Sequence, residues 1–139
     1  MKKYLFALFV VLGSLILAAQ AHAQVIVIAN PGVKTSEVSK NDLKDVFTGS
    51  STSLGGGSVV PILLKAGAAH EAFLQAYIGK NDTAYRAGWR SLVFSGQASM
   101  PKSLDSDAAV VEFVAHNAGA IGYISKATPH EGVKVLAVH

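Results

Sequence analysis

The order of periodicities along this chain most limits what it can fold into: short β-branched runs near its two ends enclose a stretch dominated by helical stripes. Residues 24–29 (Gln-Val-Ile-Val-Ile-Ala) read as a buried strand closed by the turn residues Asn30-Pro31-Gly32. Ser39 is placed to cap a helix, with Asp42 at the capping-box position. Leu43, Val46 and Phe47 form that helix's apolar face, and Gly49 stops it. Residues 58–64 (Ser-Val-Val-Pro-Ile-Leu-Leu) read as a second strand, in which Pro61 lacks an amide donor and so marks an edge or a bulge.

Three helices are then expected in succession. The first carries Ala69, Ala72, Phe73, Ala76 and Tyr77 as one stripe and closes at Gly79. The second, capped by Asn81 or Asp82, turns Tyr85, Trp89, Leu92 and Val93 inward and ends at Gly96. The third begins at Asp105 or Ser106, packs Val110, Phe113 and Val114, and ends at Asn117-Ala118-Gly119. Strands follow at 120–124 and 133–138, giving the order β-α-β-α-α-α-β-β. Helices between strands must cover a sheet, so the expected class is α/β with a mixed sheet flanked by helices. No internal repeat or second domain is visible.

Ahead of this pattern, Lys2 and Lys3 precede an apolar run from Leu5 to Ala19, followed by the small-residue sequence Ala19-Gln20-Ala21-His22-Ala23. That is the layout of a secretory signal, with cleavage expected after Ala23 and Ala21 as the rival position. The run falls short of the ~20 residues that span a bilayer. Residues 1–23 are therefore expected to be removed, leaving 24–139 as one domain outside the cytoplasm with no membrane insertion. Lys2 and Lys3 would leave with the signal, so ten basic residues would stand against nine acidic ones, and the pI near 9.2 overstates the charge of the remainder. Nothing in that balance calls for a nucleic-acid partner. The chain has no cysteine, which excludes disulfides, thiolate catalysis, cysteine-held metals and lipid attachment at an N-terminal thiol.

Chemistry-bearing motifs are sparse. No Gly-x-Ser-x-Gly elbow or triad spacing occurs, and an enzyme is not expected. His70-Glu71 opens like a zinc-protease helix, but Leu74 stands where the second histidine belongs, so no metal site is expected. His116, His130 and His139 are scattered. The Gly-rich stretch 49–57 has no Gly-Lys-Ser/Thr ending and is expected to be a flexible surface loop rather than a nucleotide cradle, and no other cofactor motif appears. The junction Leu64-Lys65-Ala66-Gly67-Ala68-Ala69-His70 is the more informative place. A strand hands over to a helix whose first turn is made of small residues, and the unpaired amides and dipole of a helix start favour anions. Lys65, Gly67, Ala68, Ala69 and His70 are the candidate ligand-binding residues, with a plain strand-to-helix turn and a solvated lysine as the alternative.

Four segments in order carry a family resemblance: Leu43-Lys44-Asp45-Val46-Phe47-Thr48-Gly49, Ala72-Phe73-Leu74-Gln75-Ala76-Tyr77-Ile78-Gly79, Trp89-Arg90-Ser91-Leu92-Val93-Phe94-Ser95-Gly96 and Gly119-Ala120-Ile121-Gly122-Tyr123-Ile124. Together they resemble the phosphate-type (PstS-like) substrate-binding proteins of ABC transporters in a short, single-lobe form. The resemblance implies one lobe, the second, of a type 2 periplasmic binding protein-like fold. It implies a periplasmic location, a phosphate-like small anion as ligand, and an ABC transporter permease or another envelope protein as partner. It also places the family's phosphate-binding segment on residues 65–70. Two departures stand out. The segment's arginine and serines are replaced by Lys65, alanines and His70, where short relatives often carry an arginine. A family Trp-x-x-Gly is absent from residues 53–56. Lysine and histidine lack the planar fork of arginine, so recognition would be weaker. The alternative that follows is an envelope protein-interaction module that keeps the fold without the ligand.

Overall fold

The computed structural model describes residues 24–139. The expected signal segment and its cleavage lie outside the described residues. Strands β1 (Val25–Ala29), β8 (Ala120–Ser125) and β9 (Lys134–Val138) form the centre of a five-stranded mixed sheet, completed by β2 (Glu37–Val38) and β5 (Val60–Pro61). The strand order is β2-β9-β1-β8-β5. β1 runs antiparallel to both β8 and β9, while the edge strands β2 and β5 run parallel to β9 and β8.

Side chains on a strand alternate between its two faces, and β8 is buried along Ala120–Ile124 because both faces are covered. Gly122 faces helix α4 (Asp107–His116): a Cβ placed there would lie 2.8 Å from Val110 Cγ1. The next residue, Tyr123, points to the opposite face, where it stacks on Phe73 with ring centroids 3.9 Å apart and meets Phe47 edge-on at 5.8 Å. Phe47 ends helix α1 (Lys40–Phe47), and Phe73 ends helix α2 (Ala68–Phe73). Helix α3 (Asp82–Phe94) is tied to α1 by one carbonyl. Phe47 O, which has no acceptor role left inside its own helix, receives the Tyr85 hydroxyl and the Trp89 indole N–H.

Caps fall where small polar residues precede apolar periodicity. Ser39 Oγ accepts from the Asp42 amide at 3.1 Å, Asn81 Oδ1 from Ala84 at 2.8 Å, and Ser106 Oγ from Ala109 at 3.1 Å. Asn81 and Ser106, rather than Asp82 and Asp105, are thus the caps. Gly49 closes α1 with φ +84°, and a Cβ there would lie 2.6 Å from Leu92 Cδ1 and 3.0 Å from the Trp89 ring. Gly49→Ala is expected to cost about 2 kcal/mol, from backbone strain together with overpacking. A thermal melt should register this as a fall of several degrees, and an unchanged midpoint would contradict it.

Four expectations are corrected. The stretch 49–57 is not wholly loop: β3 (Ser53–Leu54) and β4 (Gly57–Ser58) pair antiparallel across the two-residue turn Gly55-Gly56. The strand expected at 58–64 changes partner midway. Val60 and Ile62 donate their amides to Gly119 and Ile121, and beyond Ile62 the chain becomes β6 (Leu63–Leu64), paired parallel with β7 (Ser103–Leu104). Pro61 sits on the sheet's edge strand, where its missing amide leaves no gap in the β8 ladder. The stripe expected through Ala76 and Tyr77 slips by one residue, because α2 continues into a π-helical turn at Leu74–Ile78, closed by Gly79 N–H to Leu74 O at 2.7 Å. Leu74 and Ile78 are buried instead, Ala76 is exposed and Tyr77 is half-buried. Finally, Val93 is 40 % exposed rather than inward, since α3 turns only Tyr85 and Trp89 fully into the core.

Candidate functional site

The junction between β6 and α2 is held from three sides. Leu63 and Lys65 donate their amides to Lys102 O and Leu104 O on the β7 side, at 2.9 and 3.0 Å. Gly67 then adopts φ +107° and ψ 176°, a backbone state that disfavours any residue with a Cβ, and it precedes the helix with no side-chain cap. Hydrogen bonding along α2 begins with Glu71 N–H to Gly67 O at 3.0 Å. The amides of Ala68, Ala69 and His70 therefore have no intrahelical acceptor. Ala66, Gly67 and Ala68 are exposed, and Ala69 is buried. Ala68, Ala69 and Ala72 also border an open depression of about 390 Å³ shared with Ser125 and Gln24.

The two candidate side chains have different surroundings. Lys65 Nζ lies 2.9 Å from Asp105 Oδ1, with 59 % and 82 % of the two side chains exposed. An ion pair this open is weak and readily rearranged. His70 is fully buried and points away from the junction surface into the core. Its Nδ1 lies 2.6 Å from Tyr123 Oη and its Nε2 lies 2.6 Å from Asp82 Oδ1. The expectation that His70 offers a ring donor to a ligand therefore meets a ring with both nitrogens engaged, and only its backbone amide belongs to the helix start.

Three residues that sequence reasoning missed complete the surroundings of His70. Tyr123 Oη accepts the Leu64 amide at 3.1 Å, in the place where the ladder between the diverging strands ends. Asp82 Oδ1 accepts Arg86 Nε at 2.9 Å, and an Arg86 terminal nitrogen donates to Leu64 O and Lys65 O at 3.1 Å each. The chain of bonds thus returns to the residue where it starts. Partial burial alone would raise the Asp82 carboxyl, but the His70 N–H and the charge and N–H of Arg86 outweigh it and hold the group below the usual carboxylate range. Burial pushes the Tyr123 phenol well above its ordinary value, opposed in part by the Leu64 amide. The spacing of Asp82 and Arg86, four apart on one helix, was the available signal for the ion pair. Nothing local signalled that a histidine 53 residues before Tyr123 and 12 residues before Asp82, where α3 begins, would join them.

The other histidines among the described residues approach backbone carbonyls: His116 that of Glu112, His130 that of Thr128 and His139 that of Val38. Among the described residues no group of three His, Asp or Glu side chains is arranged to hold a metal ion, and no helix is long and apolar enough to cross a membrane.

The fold is shared with solved transport proteins. The chain is similar to a candidate phosphate ABC transporter substrate-binding protein from Clostridium perfringens with phosphate bound, at 20% identity and a TM-score of 0.65. It is also similar to an ABC-type phosphate transport receptor from Vibrio cholerae (17%, 0.64) and to PstS from Borrelia burgdorferi (17%, 0.60). These similarities cover 83%, 83% and 84% of this chain but 44%, 46% and 47% of those proteins. The chain thus spans less than half the length of each and has the fold of a single periplasmic-binding-protein lobe. It matches no family model and no curated protein.

Proposed function

We propose that residues 24–139 act as a single solute-binding lobe, exported to the periplasm, that receives a small phosphate-like anion on the amides of Ala68, Ala69 and His70 with Lys65 alongside. The observation that carries this reading is the helix start itself. Its first amides have no acceptor within the helix, its approach is lined by Gly67 and Ala68, and it stands on a lobe whose fold is shared with phosphate-binding transport proteins. The chemistry is binding rather than turnover, and a transporter permease is the natural recipient. A lobe acting alone offers no opposing wall to exclude water, and Asp105 stands beside Lys65, so affinity on the order of millimolar is expected of residues 24–139.

Calorimetric titration of residues 24–139 with inorganic phosphate tests the reading. Ala68→Glu puts a carboxylate at the first helical position, which suits the helix dipole but occupies the anion's place. Binding should disappear in that variant while the melting temperature holds or rises. No phosphate binding at tens of millimolar, or the same affinity in Ala68→Glu, overturns the assignment.

A second reading, an envelope interaction module without a ligand, is favoured by Phe94, which ends α3 with 97 % of its surface exposed. It predicts no phosphate heat at all and a partner in periplasmic extract that Phe94→Ser fails to retain.

A further inference from the structure

We propose that the closed ring of hydrogen bonds beneath the junction is a proton-conditional lock, holding the strand end at Leu64 in place while His70 is neutral and releasing it when the imidazole gains a second proton. Donor and acceptor accounting fixes the neutral form. The Leu64 N–H already donates to Tyr123 Oη at 3.1 Å, so the phenol's own proton must find an acceptor, and His70 Nδ1 at 2.6 Å is the one within reach. His70 then carries its proton on Nε2 and donates it to Asp82 Oδ1 at 2.6 Å. That carboxylate also accepts Arg86 Nε, and Arg86 closes the ring on the carbonyls of Leu64 and Lys65. Every member is satisfied in this arrangement, and no buried side-chain nitrogen or oxygen among the described residues lacks a partner.

A proton added at Nδ1 turns that acceptor into a donor facing a hydroxyl. The Tyr123 oxygen would then receive two N–H groups while its own proton lost its acceptor, a costly state inside a core. The charged groups around the ring decide which side gives way. Asp82 from α3 attracts an imidazolium and Arg86, behind it, opposes one, so the Asp82 contact persists. Tyr123 from β8 is the nearest ionisable group on the other side, with the buried Tyr85 of α3 interacting with it. Glu71 on α2 and the Lys65–Asp105 pair are exposed, Tyr77 on α2 is half-buried, and the neighbouring Phe47 and Phe73 carry no charge. The lock therefore opens on its strand side, between Tyr123 and Leu64. If the junction binds an anion as proposed above, the lock limits the pH range in which the amides are presented. That consequence rests on the anion reading, whereas the lock itself does not.

Amide hydrogen exchange on residues 24–139, without ligand, tests it. Protection factors at Leu64 and Ile62 are compared at about pH 7.5 and about pH 5.5, the range in which histidines change charge. Ile62, two residues upstream, donates to Ile121 O and has no part in the ring. Leu64 is expected to lose about tenfold in protection on acidification while Ile62 does not. Equal losses at both positions, or none at Leu64, overturn the lock. Nitrogen NMR of the His70 ring gives a second readout that needs no variant: Nε2 protonated and Nδ1 bare near neutrality supports the lock, and the opposite tautomer, or a ring still neutral at pH 5.5, overturns it. Tyr123→Phe should leave Leu64 poorly protected at both pH values, and a surviving acid step in that variant would count against the mechanism. A lobe that takes up no phosphate leaves all of these measurements intact, so failure of the anion reading and failure of the lock are told apart.

Discussion

Replacing Tyr123 with alanine is expected to remove about 4 kcal/mol of stability, a large share of what a domain of this size possesses. The ring is fully buried, lies parallel to Phe73 at 3.9 Å, meets Phe47 edge-on and carries the hydroxyl that serves both Leu64 and His70. Alanine leaves a cavity and two polar groups without partners. Phenylalanine at the same position keeps the packing and deletes only the hydroxyl, so its cost should be about 1–2 kcal/mol. Urea unfolding of the three proteins separates the two contributions. A Tyr123→Ala variant within 1 kcal/mol of the parent would mean that the aromatic cluster does not hold the lobe together.

The second large effect is alkaline. The Tyr85 phenol, buried with its hydroxyl donating to Phe47 O, is pushed up to about 12, burial being the main cause. An unfolded tyrosine ionises near 10. The native state therefore keeps its proton while the unfolded chain loses one. The stabilisation is complete below pH 10 and is lost as pH climbs from about 10 to about 12, amounting to about 3 kcal/mol for this one group. Tyr123 is shifted in the same direction and adds to the loss. Absorbance titration followed alongside circular dichroism should show two tyrosines ionising in the same step that unfolds the chain. Phenolate appearing from both with the fold intact at pH 11 would refute this.

Much of the fold was legible because its signals are local. The β-branched runs that became β1, β8 and β9, the cap at Ser39 and the stop at Gly49 depend on a few adjacent residues and fall where the pattern puts them, while the caps at Asn81 and Ser106 were each legible only as one of two neighbouring residues. Strands of two residues were not legible. Glu37–Val38 and Ser103–Leu104 have too little length for a periodicity, and they are strands only because β9 and β6 offer them partners. The junction at residues 64–70 could be located from small residues between a strand and a helix. The direction of His70 could not, since it is set by Tyr123 and Asp82, which lie 53 and 12 residues away along the chain. A histidine beside an apolar stripe reads alike whether it faces solvent or completes a core, and the partner that decides the matter leaves no trace nearby.

The π-helical turn at Leu74–Ile78 bears on how this chain is matched to others of its fold. A wide turn accommodates one residue more than a regular helix over the same rise. A relative with unbroken α-helix here would be one residue shorter between Phe73 and Gly79, and a gapless pairing would set Tyr77 against the position that Ile78 fills. Any role transferred by counting from the junction past this turn would land one side chain out of phase, on half-buried Tyr77 instead of fully buried Ile78.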